Sequence, residues 1–95
     1  MIIVIVDHYL NQEGKLYFPS WIKETERVLQ KWSGFNCIKQ LKKDNDKTES
    51  CLYLEFNSLN ELHLWSSSLD HSEILNRLKS FRIKKQVSMI YKVVN

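Results

Sequence analysis

The chain has almost none of the residues that break or staple a small fold. One proline, two glycines and two cysteines are spread over 95 residues. A pair of cysteines cannot make the dense disulfide framework of a small secreted domain, so Cys37 and Cys51 are expected as thiols in a reducing cytoplasm. So little glycine and proline excludes a collagenous, low-complexity or linker-rich chain, and no segment repeats. Long apolar runs are missing too. The opening Ile2–Val6 run meets Asp7 and His8 at once and lacks a basic leader and a small-residue cleavage site, which is expected of neither a signal peptide nor a membrane span. Nor is there a strong excess of charge, the net value being only +3. Arg77, Lys79, Arg82, Lys84 and Lys85 crowd one stretch, which reads either as an anion-attracting patch or as a solvated edge.

What is present is core material. Hydrophobic residues make up 43 % of the chain, aromatics 12 % and charged residues 26 %, the balance of a folded domain. A chain this short buries roughly 60–65 % of its unfolded surface, so surplus apolar area suggests a second copy of itself.

Ile2–Val6 is β-branched throughout and predicts a first strand over 2–9, central and buried on both faces. Phe18, Trp21, Ile22, Thr25, Val28, Leu29 and Trp32 follow the i, i+3, i+4, i+7 rule and predict an amphipathic helix over about 18–33. Pro19 would stand in its first turn and Gly34 would supply a left-handed cap. Phe35–Leu41 and Ser50–Phe56 read as a hairpin joined by the polar stretch 43–47, with Leu52, Leu54 and Phe56 on one face and Cys51, Tyr53 and Glu55 on the other. Ser58-Leu59-Asn60-Glu61 is a capping box that opens a second helix at about 59. Asp70 with Glu73 repeats the signal, so the helix should break near Ser67 or Ser68 and restart. Residues 83–94 read as a last strand with Val87, Met89, Tyr91 and Val93 on one face.

The order βαββαβ implies an α+β, ferredoxin-like domain: a four-stranded antiparallel sheet with helices on one face. Many activities use that arrangement, so sites must discriminate. Cys51–Phe56 lacks the basic-Gly-aromatic signature of an RNA-recognition strand, and Asn11–Lys15 lacks the arginine-bearing cradle of an acylphosphatase. Nucleic acid and membrane are not expected partners. The three histidines have no zinc-like spacing, and no metal site is expected.

The strand running into His8-Tyr9-Leu10, the Trp32-Ser33-Gly34-Phe35 turn, the Leu54–Leu62 segment and Trp65-Ser66-Ser67-Ser68-Leu69-Asp70-His71 together resemble the antibiotic biosynthesis monooxygenase domain family over residues 1–95. Ser33 stands where that family usually has proline. The resemblance implies one domain in a dimeric α+β barrel, with two sheets packed face to face and a small-molecule pocket between each sheet and its helices. One branch oxidises phenolic compounds with dioxygen, using neither metal nor flavin, and Trp65 matches its pocket tryptophan. A second branch degrades haem through a first-strand asparagine, a tryptophan and an axial histidine. Asp7 and His8 stand where that asparagine is expected, and His71 follows Trp65 too closely, which disfavours haem.

The resemblance thus points to a monooxygenase needing no cofactor and acting on a small aromatic or quinone-like compound. Trp65, His71 and His8 are its candidate catalytic residues, and Trp65, Tyr9, Trp21 and Phe56 its candidate pocket. The residues keep plainer readings open: Trp65 as core, His71 as a helix-start surface residue, His8 as a structural imidazole and His63 as solvent-facing. Which sheet face Tyr9, Tyr17, Tyr53 and Tyr91 occupy depends on strand register. A non-catalytic small-molecule-binding or dimerisation module is the alternative function.

Overall fold

The computed structural model describes residues 1–42, 44 and 50–95. Strands β1 (Ile2–Leu10), β2 (Phe35–Leu41), β3 (Ser50–Phe56) and β4 (Arg82–Lys92) form one antiparallel sheet in the order β2-β3-β1-β4. Helices α1 (Gln12–Leu29), α2 (Leu59–Ser66) and α3 (Leu69–Asn76) lie on one face, and a 3-10 turn at Lys79–Phe81 leads into β4. This is the ferredoxin-like α+β arrangement, with β1 and β3 central.

The hairpin arms occupy the expected ranges, whereas Lys43, Asn45, Asp46 and Lys47 of the expected turn lie outside the described residues. Helix α1 differs from the sequence reading at both ends. It begins at Gln12 because the Asn11 side chain accepts a hydrogen bond from the Gly14 amide at 2.8 Å, an N-cap placed before the apolar stripe begins. Pro19 therefore stands inside the helix, where the burial of Phe18, Trp21, Thr25 and Leu29 outweighs its helix-breaking tendency. The helix stops at Leu29, and Trp32 belongs to the turn that follows. Gly34 closes that turn with φ +83°, and a side chain there would collide with the Glu61 carboxylate.

Ser58 caps α2 as expected: the Glu61 amide donates to Ser58 Oγ at 3.3 Å, while the Glu61 carboxylate accepts from the Ser58 hydroxyl at 3.0 Å. The break falls at Ser67 and Ser68, but the cap of α3 is Ser68, which accepts from the His71 amide at 3.1 Å. Asp70 instead accepts from Trp32 Nε1 at 3.2 Å.

Strand β1 was expected to be buried on both faces; its burial alternates instead. Ile2, Val4, Val6, His8 and Leu10 point beneath the helices and are buried, while Ile3, Ile5, Asp7 and Tyr9 on the outer face are half-buried. With no helix on that outer face, the Ile3, Ile5 and Tyr9 side chains keep part of their surface in water. In register beside them stand Tyr53 of β3 and Val87, Met89 and Tyr91 of β4, the last three about half exposed. The helical face holds the core: Phe18, Trp21, Leu29, Phe56 and Leu78 are sealed from solvent.

Candidate functional site

Between the helices and the β1–β4 half of the sheet lies a cavity of about 250 Å³. Its floor is Val4 and Val6 of β1 with Leu52 and Leu54 of β3, all side chains placed there by strand alternation. Trp21 and Thr25, one helical turn apart, form the α1 wall. Their polar atoms are committed elsewhere: Trp21 Nε1 donates to the Ile74 carbonyl at 2.8 Å and Thr25 Oγ1 to the Trp21 carbonyl at 2.7 Å. The first bond ties α1 to α3 across the cavity and holds the indole in place. Opposite, Leu62 and Trp65 of α2 and Ile74 and Leu75 of α3 complete a largely apolar lining. The helix break at Ser67–Ser68 sets α2 and α3 apart over this space, and His63, Ser66 and His71 edge it on that side.

Two histidines define its chemistry. His8 is 3 % exposed, and its ring packs against Trp21 at 5.2 Å and Phe18 at 5.6 Å between centroids. Among the described residues neither Nδ1 nor Nε2 has a hydrogen-bond partner. Burial, reinforced by the nearby Arg82 guanidinium and opposed by Asp7, lowers its pKa from 6.5 to about 4, so the imidazole is neutral at pH 7. His71 stands edge-on to Trp65, with centroids 5.4 Å apart. Burial lowers its pKa as well, against the opposing pull of a hydrogen bond to the Ser66 backbone.

Of the residues singled out in the sequence, Trp65, Trp21, His71 and His8 meet around this one cavity. His63 is exposed and touches its edge. Tyr9 stands on the opposite sheet face with Lys84 Nζ 4.6 Å from its ring centroid, because it is one residue out of phase with His8. Phe56 is on the helical face but at the far end of β3, packed edge-on against Phe35 and away from the cavity. Sequence reasoning missed Thr25 as a lining residue, although its helical spacing from Trp21 signalled a shared face. It also missed Gln86 and Ser88 of β4. The basic stretch does not act as one patch: Arg77 bonds Glu24 at 2.7 Å, Lys84 covers Tyr9, and Arg82 turns inward with Nε buried. Among the described residues no group of three or more His, Cys, Asp or Glu is placed to hold a metal ion.

No family model and no curated protein matches the sequence. Solved structures do match its three-dimensional form. An antibiotic biosynthesis monooxygenase superposes with a TM-score of 0.80 over 100 % of both chains at 9 % identity. A Nitrosomonas europaea protein proposed to be an antibiotic biosynthesis monooxygenase gives 0.83 over 100 % of both at 13 % identity. A conserved protein from Methanosarcina mazei Go1 gives 0.83 over 96 % of this chain and 90 % of its own at 18 % identity. The fold is that of the antibiotic biosynthesis monooxygenases. Identities this low carry the fold alone. Within the antibiotic monooxygenase fold, this chain's cavity lies beneath its own helices, between Trp21, Trp65 and β4.

Proposed function

We propose that residues 1–95 form a single antibiotic biosynthesis monooxygenase-like domain, cytoplasmic and homodimeric, that binds a small aromatic or quinone-like compound and oxygenates it without a cofactor. The observation that carries this reading is the cavity itself. It is apolar, walled by two tryptophans, and has a buried neutral imidazole at its inner end. In such a site a deprotonated phenolic substrate supplies the electrons to dioxygen. One oxygen atom stays in the product and the other leaves as water. Trp65 shapes the wall against which the ring lies. His71, neutral and beside Trp65, is placed to take the substrate proton, and His8 to hydrogen-bond a ring oxygen. The half-exposed Val87, Met89 and Tyr91, with Tyr53, give the uncovered sheet face the apolar area that a second copy would bury.

One observation favours a binding module without chemistry. Burial lowers the pKa of His71, the imidazole placed to take the proton, and so weakens it as a base. Oxygen uptake separates the two readings. With a polyphenol or quinol that binds, the monooxygenase reading expects dioxygen consumption that falls in Trp65→Phe and His71→Ala while both variants stay folded. Binding with no consumption leaves only the module. Haem fits less well: an apolar cavity of about 150 Å³ holds a single benzene, so about 250 Å³ suits one or two fused rings and not a porphyrin. A sharp Soret band on adding haemin would overturn that judgement. Sedimentation at micromolar concentration tests the dimer, and a monomer there sinks it.

A further inference from the structure

The pairing of β1 with β4 is irregular at one place only along Ile2–Tyr9, and that place is His8. Asp7 stands opposite Val87 and Tyr9 opposite Lys84, so the single residue His8 faces two, Lys85 and Gln86. This is a β-bulge, which re-aims a side chain and is common beside functional sites. Ser88 pairs with Val6 on the helical face, and Gln86, two residues before it, shares that face and lines the cavity with His8. Gln86 Oε1 is buried, and among the described residues it has no hydrogen-bond partner, as is true of both His8 nitrogens. Buried polar atoms without partners cost stability, so a structure that keeps three of them in one cavity has a use for them.

Resting on the reading of this cavity as a small-molecule site, we propose that His8 and Gln86, neighbours on the helical face beside this β-bulge, form a specificity pair that holds a neutral hydroxyl group of the ligand. A neutral imidazole offers one donor and one acceptor, and the inward Gln86 oxygen offers an acceptor. A hydroxyl satisfies both residues at once, accepting from the imidazole N–H and donating to Oε1. A carbonyl accepts from His8 but leaves Oε1 unpaired. A carboxylate sets a second negative oxygen against Oε1; Arg82 would attract it, but Arg82 is not among the residues lining the cavity. The other polar side chains deep in the cavity, Trp21 and Thr25, already spend their donors on backbone carbonyls. The ligand body is then one or two rings lying between Trp21 and Trp65, with its hydroxyl toward β4.

Equilibrium dialysis with three probes of one shape, naphthalene, 2-naphthol and 2-naphthoate, tests this without any turnover. The wild-type protein should bind 2-naphthol about tenfold more tightly than naphthalene, the worth of one to two neutral hydrogen bonds, and 2-naphthoate more weakly than 2-naphthol. Gln86→Leu and His8→Phe should each retain naphthalene binding, which shows the cavity intact, and lose most of the preference for 2-naphthol. Equal binding of naphthalene and 2-naphthol to the wild type, survival of the preference in Gln86→Leu, a preference for 2-naphthoate, or no binding of any probe overturns the assignment. A specificity pair that stands while no phenol is ever oxygenated would sink the monooxygenase reading and leave this one intact.

Discussion

The helical layer treats the two halves of the sheet differently. Beneath the last turn of α1 the sheet is closed, with Leu29 and Phe56 sealed from solvent and Phe35 packed edge-on against Phe56. Under α2 and α3 it is open. Two eight-residue helices meeting at a break cannot cover β4 as one eighteen-residue helix covers its neighbours, and the inner side chains Ser88 and Ile90 stay exposed at the cavity. The same face of one sheet is thus core at one end and binding wall at the other.

The largest expected difference comes from truncating one side chain in each half. Phe56→Ala removes a fully buried ring from the closed end and should lower the unfolding free energy by about 3–5 kcal/mol, read by denaturant titration. Ile90→Ala, half exposed at the open end, should stay within about 0.5 kcal/mol. Comparable losses would mean that the open end is as tightly packed as the closed one.

Next is acid sensitivity. The His8 pKa is lowered in the folded protein from 6.5 to about 4, so between those values the unfolded chain binds a proton that the folded chain does not. Stability is therefore unaffected above about pH 6.5, falls as pH drops toward 4, and loses nothing further from this group below that. The shift corresponds to about 3 kcal/mol. His8→Asn should flatten that part of the curve relative to wild type, and His71, shifted in the same direction, should leave a smaller residual slope. Parallel curves for wild type and His8→Asn would show an imidazole that is hydrated after all.

Trp65→Phe keeps most of the apolar volume and should cost less than about 1.5 kcal/mol, while 2-naphthol affinity falls by more than stability does. Stability and affinity falling together would return Trp65 to the core. The smallest effect is expected at the break itself. Ser68→Ala removes the oxygen that caps α3 and should cost about 1 kcal/mol, with a change in probe affinity because α3 carries Ile74, Leu75 and His71 to the cavity. An unchanged affinity would mean that the cavity does not depend on how α3 starts.

Much of this was readable from local spacing. The hairpin arms, the Ser58–Glu61 box and the Ser67–Ser68 break each depend on residues within four positions of one another, and each lies where the sequence puts it. The start of α1 was not readable in the same way, because Pro19 imitates a first-turn proline while the working cap, Asn11, precedes any apolar stripe. Trp21, Trp65, His8 and His71 were legible as residues of interest, since inward-facing aromatics and histidines are few. Gln86 was not singled out: period-2 alternation opposite Val87 and Met89 puts it on the same face as Ser88, but that it meets His8 follows only from the pairing of β4 with β1, a strand more than seventy positions away.

That pairing has a consequence in time. The first strand finds no partner among its neighbours in sequence; its hydrogen bonds go to β3 and β4, with Ile2 opposite Phe56 on one side and Lys92 on the other. Pairings this far apart in sequence carry a larger loop-closure cost than local ones and form more slowly. The cavity needs β4 for its far wall, so it exists only where the two ends of the chain are paired. A ligand that needs that wall binds only the paired chain and stabilises it by mass action.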